Sequence, residues 1–139
     1  MLDRARAKHP EVDTRVLGLQ DLAGAADLAG IGDGLLCVDA LENVGPEDWP
    51  TVLAGMAAVL CPAAAAYPTV ELPEGPLPEG PLPEPADSRQ VPGELFAGGG
   101  YHYYPQREQV LGWLEAAGFA VVEQSDGDDY RHLLVRSRR

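Results

Sequence analysis

Residues 34–50 read Gly-Leu-Leu-Cys-Val-Asp-Ala-Leu-Glu-Asn-Val-Gly-Pro-Glu-Asp-Trp-Pro, and this stretch decides the fold class. Leu35-Leu36-Cys37-Val38 is a short apolar run bounded by Gly34 and Asp39. Such a run predicts a strand buried on both faces, as in a parallel sheet. The strand closes on acids, Asp39 and Glu42. In open α/β sheets ligands bind beyond the carboxyl ends of strands, so these two acids stand where a site is expected. Pro46 suits the first position of a helix, with Glu47 and Asp48 in its first turn. Trp49, Val52, Leu53, Met56, Val59 and Leu60 then recur at helical spacing, an apolar stripe that should pack on the sheet.

Downstream, Pro62 stops this helix and Ala63–Glu71 reads as the next strand, with Pro68 unusual inside it. Residues 72–85 repeat Leu-Pro-Glu-Gly-Pro and carry no apolar periodicity. They predict an extended loop, more simply a surface insertion than a proline-motif ligand, since basic anchors near the prolines are absent. Residues 93–105, GELFAGGGYHYYP, place glycines before Tyr101, His102, Tyr103 and Tyr104. Pro105 should start a helix that Gly118 caps, with Val110, Leu114 and Ala117 on its inner stripe and Trp113 alongside. Phe119–Gln124 and Arg131–Ser137 predict an antiparallel hairpin turning over Ser125–Asp129.

Upstream, Met1–Lys8 is rich in helix formers and stops before His9-Pro10. Val16–Leu19 is a candidate strand, and Asp21–Gly30 a short helix or turn. Helices and strands thus alternate, which predicts an α/β fold, a mostly parallel sheet with an antiparallel hairpin at the C-terminal end.

The chain has 139 residues, the length of a single domain. Its formal net charge is −12. Residues 16–88 hold twelve acids and no Lys or Arg, whereas the remainder balances ten acids with ten bases. That charge argues against nucleic acid and anionic membranes as partners. Cys37 and Cys61 have no metal-ligand spacing and read as buried free thiols, which fits a reducing cytoplasm. No apolar run in the sequence is long enough to cross a bilayer. Gly98-Gly99-Gly100 lacks the strand-to-helix setting and Lys of a phosphate loop. No zinc signature or Ser/Cys nucleophile setting stands out either.

Taken together, the segments resemble the later part of a class I S-adenosylmethionine-dependent methyltransferase. Met1–Pro10 resembles that family's helix after the second strand, and residues 32–42 its fourth-strand segment. Trp49–Pro62 resembles the helix that ends in leucine, proline and glycines. Gly118-Phe119 followed by Val121-Val122-Glu123 resembles the start of the penultimate strand. The match covers nearly the whole chain, and its force lies in the order and spacing of the pieces. There are departures. The glycine-rich loop after the first strand and the ribose-binding acid after the second are not present. Cys61-Pro62-Ala63-Ala64 replaces the usual Pro-Gly-Gly turn, and Gly32 stands where an aromatic residue is usual.

The resemblance implies a Rossmann-like methyltransferase sandwich truncated at its N-terminus, with S-adenosylmethionine as cofactor and a small-molecule methyl acceptor. It places Gln20 and Asp21 beside the adenine, and Asp39 and Ala40 beside the methyl group. Asp21 also suits a helix N-cap. Glu42, Tyr101, Tyr103 and Tyr104 would line the acceptor pocket, since rings with polar tips combine an apolar wall with hydrogen bonds. His102 would act as general base near neutral pH. The bland alternatives are a solvated loop acid for Glu42 and plain packing for any one ring. His9 and His132 read as structural or exposed. The competing expectation is a non-catalytic remnant or subunit that binds a protein through its incomplete sheet. The strand at 34–38 would then expose an apolar edge, re-pair with 16–19, self-associate, or need an N-terminal half in trans.

Overall fold

The computed structural model describes residues 2–74, 91–97 and 100–139; for Phe96 and Ala97 it describes the backbone alone. Most of the proline-rich repeat lies outside the described residues. A first helix, α1, spans Leu2–Lys8 and buries none of its side chains. Strand β1 spans Gly32–Cys37, helix α2 Trp49–Val59 and strand β2 Leu60–Glu71. A separate hairpin follows, β3 at Glu94–Ala97 and β4 at Gly100–Tyr103. Helix α3 spans Arg107–Ala116, and β5 (Phe119–Asp126) and β6 (Tyr130–Ser137) close the chain. The main sheet runs in the order β1-β2-β6-β5. β1 and β2 are parallel, while β6 is antiparallel to both of its neighbours. This is the expected α/β sandwich with an antiparallel C-terminal hairpin.

Helices α2 and α3 cover one face. The expected stripe is buried there apart from half-buried Val59: Trp49, Val52, Leu53, Met56 and Leu60 are each at most 2% exposed. They meet Cys37, Ala66, Val70, Leu133 and Val135 from the strands. Trp49 organises the junction. Its indole N–H donates to the Val44 carbonyl at 3.1 Å, and its ring stacks on Trp113 at 5.3 Å. Hydrogen bonding keeps that buried N–H satisfied, as a buried indole requires.

Several local expectations are corrected. Val16–Leu19 is not a strand. Val16 is 85% exposed, and no described strand stands beside it to pair its backbone. The chain instead forms short 3-10 turns at Leu19–Gly24 and Ala26–Leu28, which pack Leu19 and Leu22 against the core. β1 is buried on one face only: Cys37 is 6% exposed but Leu36 is 80% exposed. No described helix lies over the second face. The expected re-pairing of 16–19 with 34–38 does not occur, and the outer edge of β1 is unpaired among the described residues.

Two helices start later than the prolines suggested. Gly45-Pro46 forms a turn, with the Asp48 N–H donating to the Gly45 carbonyl, and Pro50 occupies the first turn of α2. At α3, Gln106 caps the helix through a reciprocal side-chain pair with Gln109. Gly118 does follow α3 in the left-handed region, φ +86°.

The strand β2 begins three residues before Ala63, immediately after α2. The unusual Cys61-Pro62-Ala63-Ala64 segment is a bulge: the pairing jumps from Gly32–Leu60 to Gly34–Ala65. Ala63 turns there with φ +60°. Pro68 is tolerated in this central strand because it faces Cys37, the last residue of β1, where the ladder ends. The β3–β4 hairpin was not legible as strands, since its glycines and rings have no alternating pattern.

Candidate functional site

β1 and β2 run parallel, so their carboxyl ends lie on one side of the sheet. β1 delivers Asp39 there and β2 delivers Glu71. β6 starts opposite Glu71, which brings Tyr130 to the same side. Asp39 takes a left-handed turn, φ +54°, a conformation that Asp accepts more readily than most residues. Its backbone N–H donates to the Thr69 hydroxyl at 3.1 Å. The Tyr130 hydroxyl donates to its carboxylate in a short hydrogen bond. Burial is slight at Tyr130, and the Asp39 carboxylate pushes the phenol pKa up.

The β3–β4 hairpin closes over this edge and brings His102 to Glu71, with 2.8 Å between Nδ1 and the carboxylate. Both side chains are partly exposed, at 31% and 22%. Tyr104 lies parallel to His102 with ring centres 6.1 Å apart. Gly93 makes this closure possible. Its φ is +101°, and a β-carbon there would sit 2.6 Å from the Tyr104 carbonyl oxygen.

Glu42 sits beneath the same edge on a single 3-10 turn, Leu41–Asn43. It is 5% exposed. One carboxyl oxygen accepts from Asn43 Nδ2 at 2.8 Å, while Oε2 is buried with no partner among the described residues. Burial pushes its pKa up, and Asp39 and Glu71 push it further. His102 pulls the other way. The turn that carries Glu42 packs against β2 and β4, which carry Glu71 and His102. Tyr104 reports the same field: burial first, then Glu71, Glu74 and Glu42, raise its phenol pKa.

The remaining candidates fall elsewhere. Tyr103 is 1% exposed and packs edge-on against Trp49 at 6.5 Å, so it belongs to the core. Tyr101 donates its hydroxyl to Glu94 at 2.9 Å, which ties the hairpin to itself. Gln20 donates to Asp48 at 3.3 Å, towards the start of α2. Asp21 lies in the first 3-10 turn, where Gly18 rather than Asp21 is the capping residue. No hydrogen bond or ion pair among the described residues joins Gln20 or Asp21 to Asp39. Ala40 is half-buried and packs against the core beside Asp39. His132, read as structural or exposed, bonds Tyr67 at 2.8 Å on the face away from α2.

Sequence reasoning missed Glu71, Thr69 and Tyr130. The strand-end rule that singled out Asp39 applies equally to Glu71, which closes the next strand. Tyr130 had no such signal, because its position depends on how β6 registers with β2. Among the described residues no cluster of three or more His, Cys, Asp or Glu side chains is arranged to hold a metal.

The fold is the Rossmann-like α/β fold seen in solved S-adenosylmethionine-dependent methyltransferases. The chain superposes on a Burkholderia thailandensis 1,6-didemethyltoxoflavin N1-methyltransferase solved with S-adenosylhomocysteine. The TM-score is 0.66 at 17% identity, over 99% of this chain and 56% of that one. An O-methyltransferase family protein from Burkholderia thailandensis matches with TM-score 0.65 at 17% identity, over 98% of this chain and 40% of that one. The 4+2 cyclase SpnF matches with TM-score 0.64 at 15% identity, over 98% and 60% respectively. The chain thus spans about half the length of these proteins. That a cyclase shares the fold means the fold alone does not fix the reaction. No family model matches the sequence. No curated protein matches it either.

Proposed function

We propose that this chain is the acceptor-facing part of an S-adenosylmethionine-dependent methyltransferase domain acting on a small molecule. The observation that carries this reading is the convergence of Asp39, Glu71, His102 and Tyr130 at the carboxyl ends of two parallel strands. The donor set fits the cofactor in part. Carboxylates suit a positive sulfonium, whereas no described Lys or Arg pairs with these acids to meet the cofactor's own carboxylate. Asp39 and Ala40 would border the methyl group, with Gln20 and Asp21 on the adenine side. When bound, the cofactor would supply an electrophilic methyl carbon.

The chain's own residues then handle the acceptor. With its proton on Nδ1 held by Glu71, His102 presents Nε2 as a base for the acceptor proton. Glu71 stabilises the resulting imidazolium and fixes the ring orientation. Tyr104 extends the flat wall made by His102, and Glu42 lies beneath. Tyr101 and Tyr103 serve the pocket indirectly, by holding the hairpin shut. The free thiols accord with a reducing cytoplasm, and no described helix is long and apolar enough to span a membrane.

The glycine loop and ribose acid of the family do not occur in this sequence, so cofactor affinity of this chain should be weak. Titration of the isotope-labelled chain with S-adenosylhomocysteine should move the amide signals of Asp39, Ala40 and their neighbours at millimolar concentrations, about −4 kcal/mol. No shift at these positions at saturating ligand would sink the reading. A second reading rests on Leu36 and Val38, 80% and 55% exposed on and just beyond β1, whose outer edge is unpaired among the described residues. In it the chain is a subunit that binds a protein partner through that edge.

A further inference from the structure

Resting on the methyltransferase reading, we infer that the acceptor is a nitrogen base, cationic or rich in N–H donors, rather than an acid or a simple alcohol. Asp39, Glu42 and Glu71 gather at the carboxyl ends of β1 and β2. Among the described residues none of them pairs with a Lys or Arg; their partners are Tyr130, Asn43 and His102. A carboxylate ligand entering this edge would meet three acids and, among the described residues, no Lys or Arg paired with them. An ammonium or protonated ring nitrogen would meet acceptors on two sides, from Asp39 and Glu71, and a flat aromatic wall at His102 and Tyr104 for cation–π contact.

The buried Glu42 oxygen adds a separate observation. Native structures rarely leave a buried polar oxygen without a partner. Here the orphan belongs to the 3-10 turn at Leu41–Asn43, which packs against β2 and β4, the strands that carry Glu71 and His102. A positive charge brought above it would favour ionised Glu42 and offset the repulsion among the three acids. The neighbouring charged and titratable groups are Cys37 at the end of β1, Asp39 after it, Glu71 at the end of β2, Tyr130 at the start of β6, and His102 and Tyr104 on the hairpin side.

The test is binding alone, with benzylamine, benzyl alcohol and benzoate as probes of one shape and different charge. Benzylamine at neutral pH should move the amide signals of Asp39–Asn43, Glu71 and His102. It should bind at least about tenfold tighter than benzyl alcohol, roughly 1.4 kcal/mol. Benzoate should bind weakest. Glu71→Gln and Glu42→Gln should each weaken benzylamine about fivefold without unfolding the chain, as amide spectra will show. If either variant unfolds, Asp39→Asn and the three-probe ranking on the parent chain carry the test. Equal binding of benzyl alcohol or benzoate, or benzylamine shifts away from this edge, overturns the inference. Because these readouts need no methyl transfer, the two ideas fail separately. Amine binding without any cofactor response refutes only the methyltransferase reading. Cofactor response with preference for benzoate refutes only the amine.

Discussion

Tyr130, the first residue of the last strand, donates its hydroxyl to Asp39 at the end of the first strand, 91 residues earlier in the chain. With the Thr69 hydroxyl on the Asp39 N–H, this bond holds a non-glycine residue in the left-handed region. Tyr130→Phe should speed amide exchange at Asp39 and Ala40. Its cost in global stability should stay below about 1 kcal/mol, because the Asp39 carboxylate is solvent-exposed. Thr69→Val should cost more, about 1–3 kcal/mol, since it strips the acceptor from a part-buried N–H. Urea unfolding of both variants checks the order, and the reverse order would contradict it.

Glu42 gives a pH dependence with a definite sign. Burial raises its folded pKa above the ordinary 4.5, so the folded chain holds that proton more tightly than the unfolded chain. The group's contribution is full below pH 4.5 and is lost as pH rises through the folded pKa. Glu42→Gln keeps the shape without the charge. The variant should be more stable than the parent at neutral pH, and the gap should close on acidification. Equal urea midpoints at neutral pH would show that Glu42 is not strained there.

Gly55 lies where α2 meets the first 3-10 turn. A β-carbon there would come 2.8 Å from Leu22 Cβ and 3.1 Å from the Ala23 nitrogen. Alanine favours a helix over glycine by about 1 kcal/mol. Overpacking costs more, about 1–3 kcal/mol. Gly55→Ala should therefore lower the melting temperature and shift the signals of Gln20–Ala23. A higher melting temperature would mean that the turn yields without cost.

The two cysteines should differ in reactivity. Burial pushes the Cys37 thiol up to about 11, and it is 6% exposed. Cys61 is partly exposed, with its thiol directed at the Gly30 carbonyl. A thiol reagent at pH near 8 should label Cys61 while Cys37 stays protonated and unlabelled. Mass mapping of labelled peptides checks this, and fast labelling of Cys37 would show that β1 opens readily.

The outer edge of β1 should recruit a second strand. That edge is unpaired among the described residues, β1 carries no Lys or Pro as a guard, and Leu36 on its uncovered face is 80% exposed. The chain should elute as a dimer or larger in light scattering. Leu36→Lys should shift it toward monomer with an unchanged circular dichroism spectrum. A parent chain that is already a clean monomer would refute the edge's role.

The local signals of the sequence carried a good part of this fold. The helical spacing of Trp49, Val52, Leu53 and Met56 marked a buried stripe, the run at 34–38 marked β1, and Gly118 marked the end of α3. These were legible because each depends on periodicity or on a backbone angle within a few residues. The strand-end position of Asp39 and Glu42 was legible for the same reason. The sequence by itself therefore determined the order of most elements, the α/β class and one edge of the candidate site.

Only the tertiary structure decided the rest. Val16–Leu19 has the composition of a strand but no described neighbour to complete its hydrogen bonds, so it stays irregular up to the 3-10 turn that begins at Leu19. The buried and exposed faces of β1 depend on what covers them, and Leu36 is exposed because no described helix does. Tyr103 and Tyr104 are adjacent and alike in the sequence, yet one is sealed against Trp49 and the other stacks on His102 at the site. The Tyr130–Asp39 and His102–Glu71 pairs arise from strand register and hairpin closure over long sequence separations. Those contacts are made by packing, which local residue patterns do not encode.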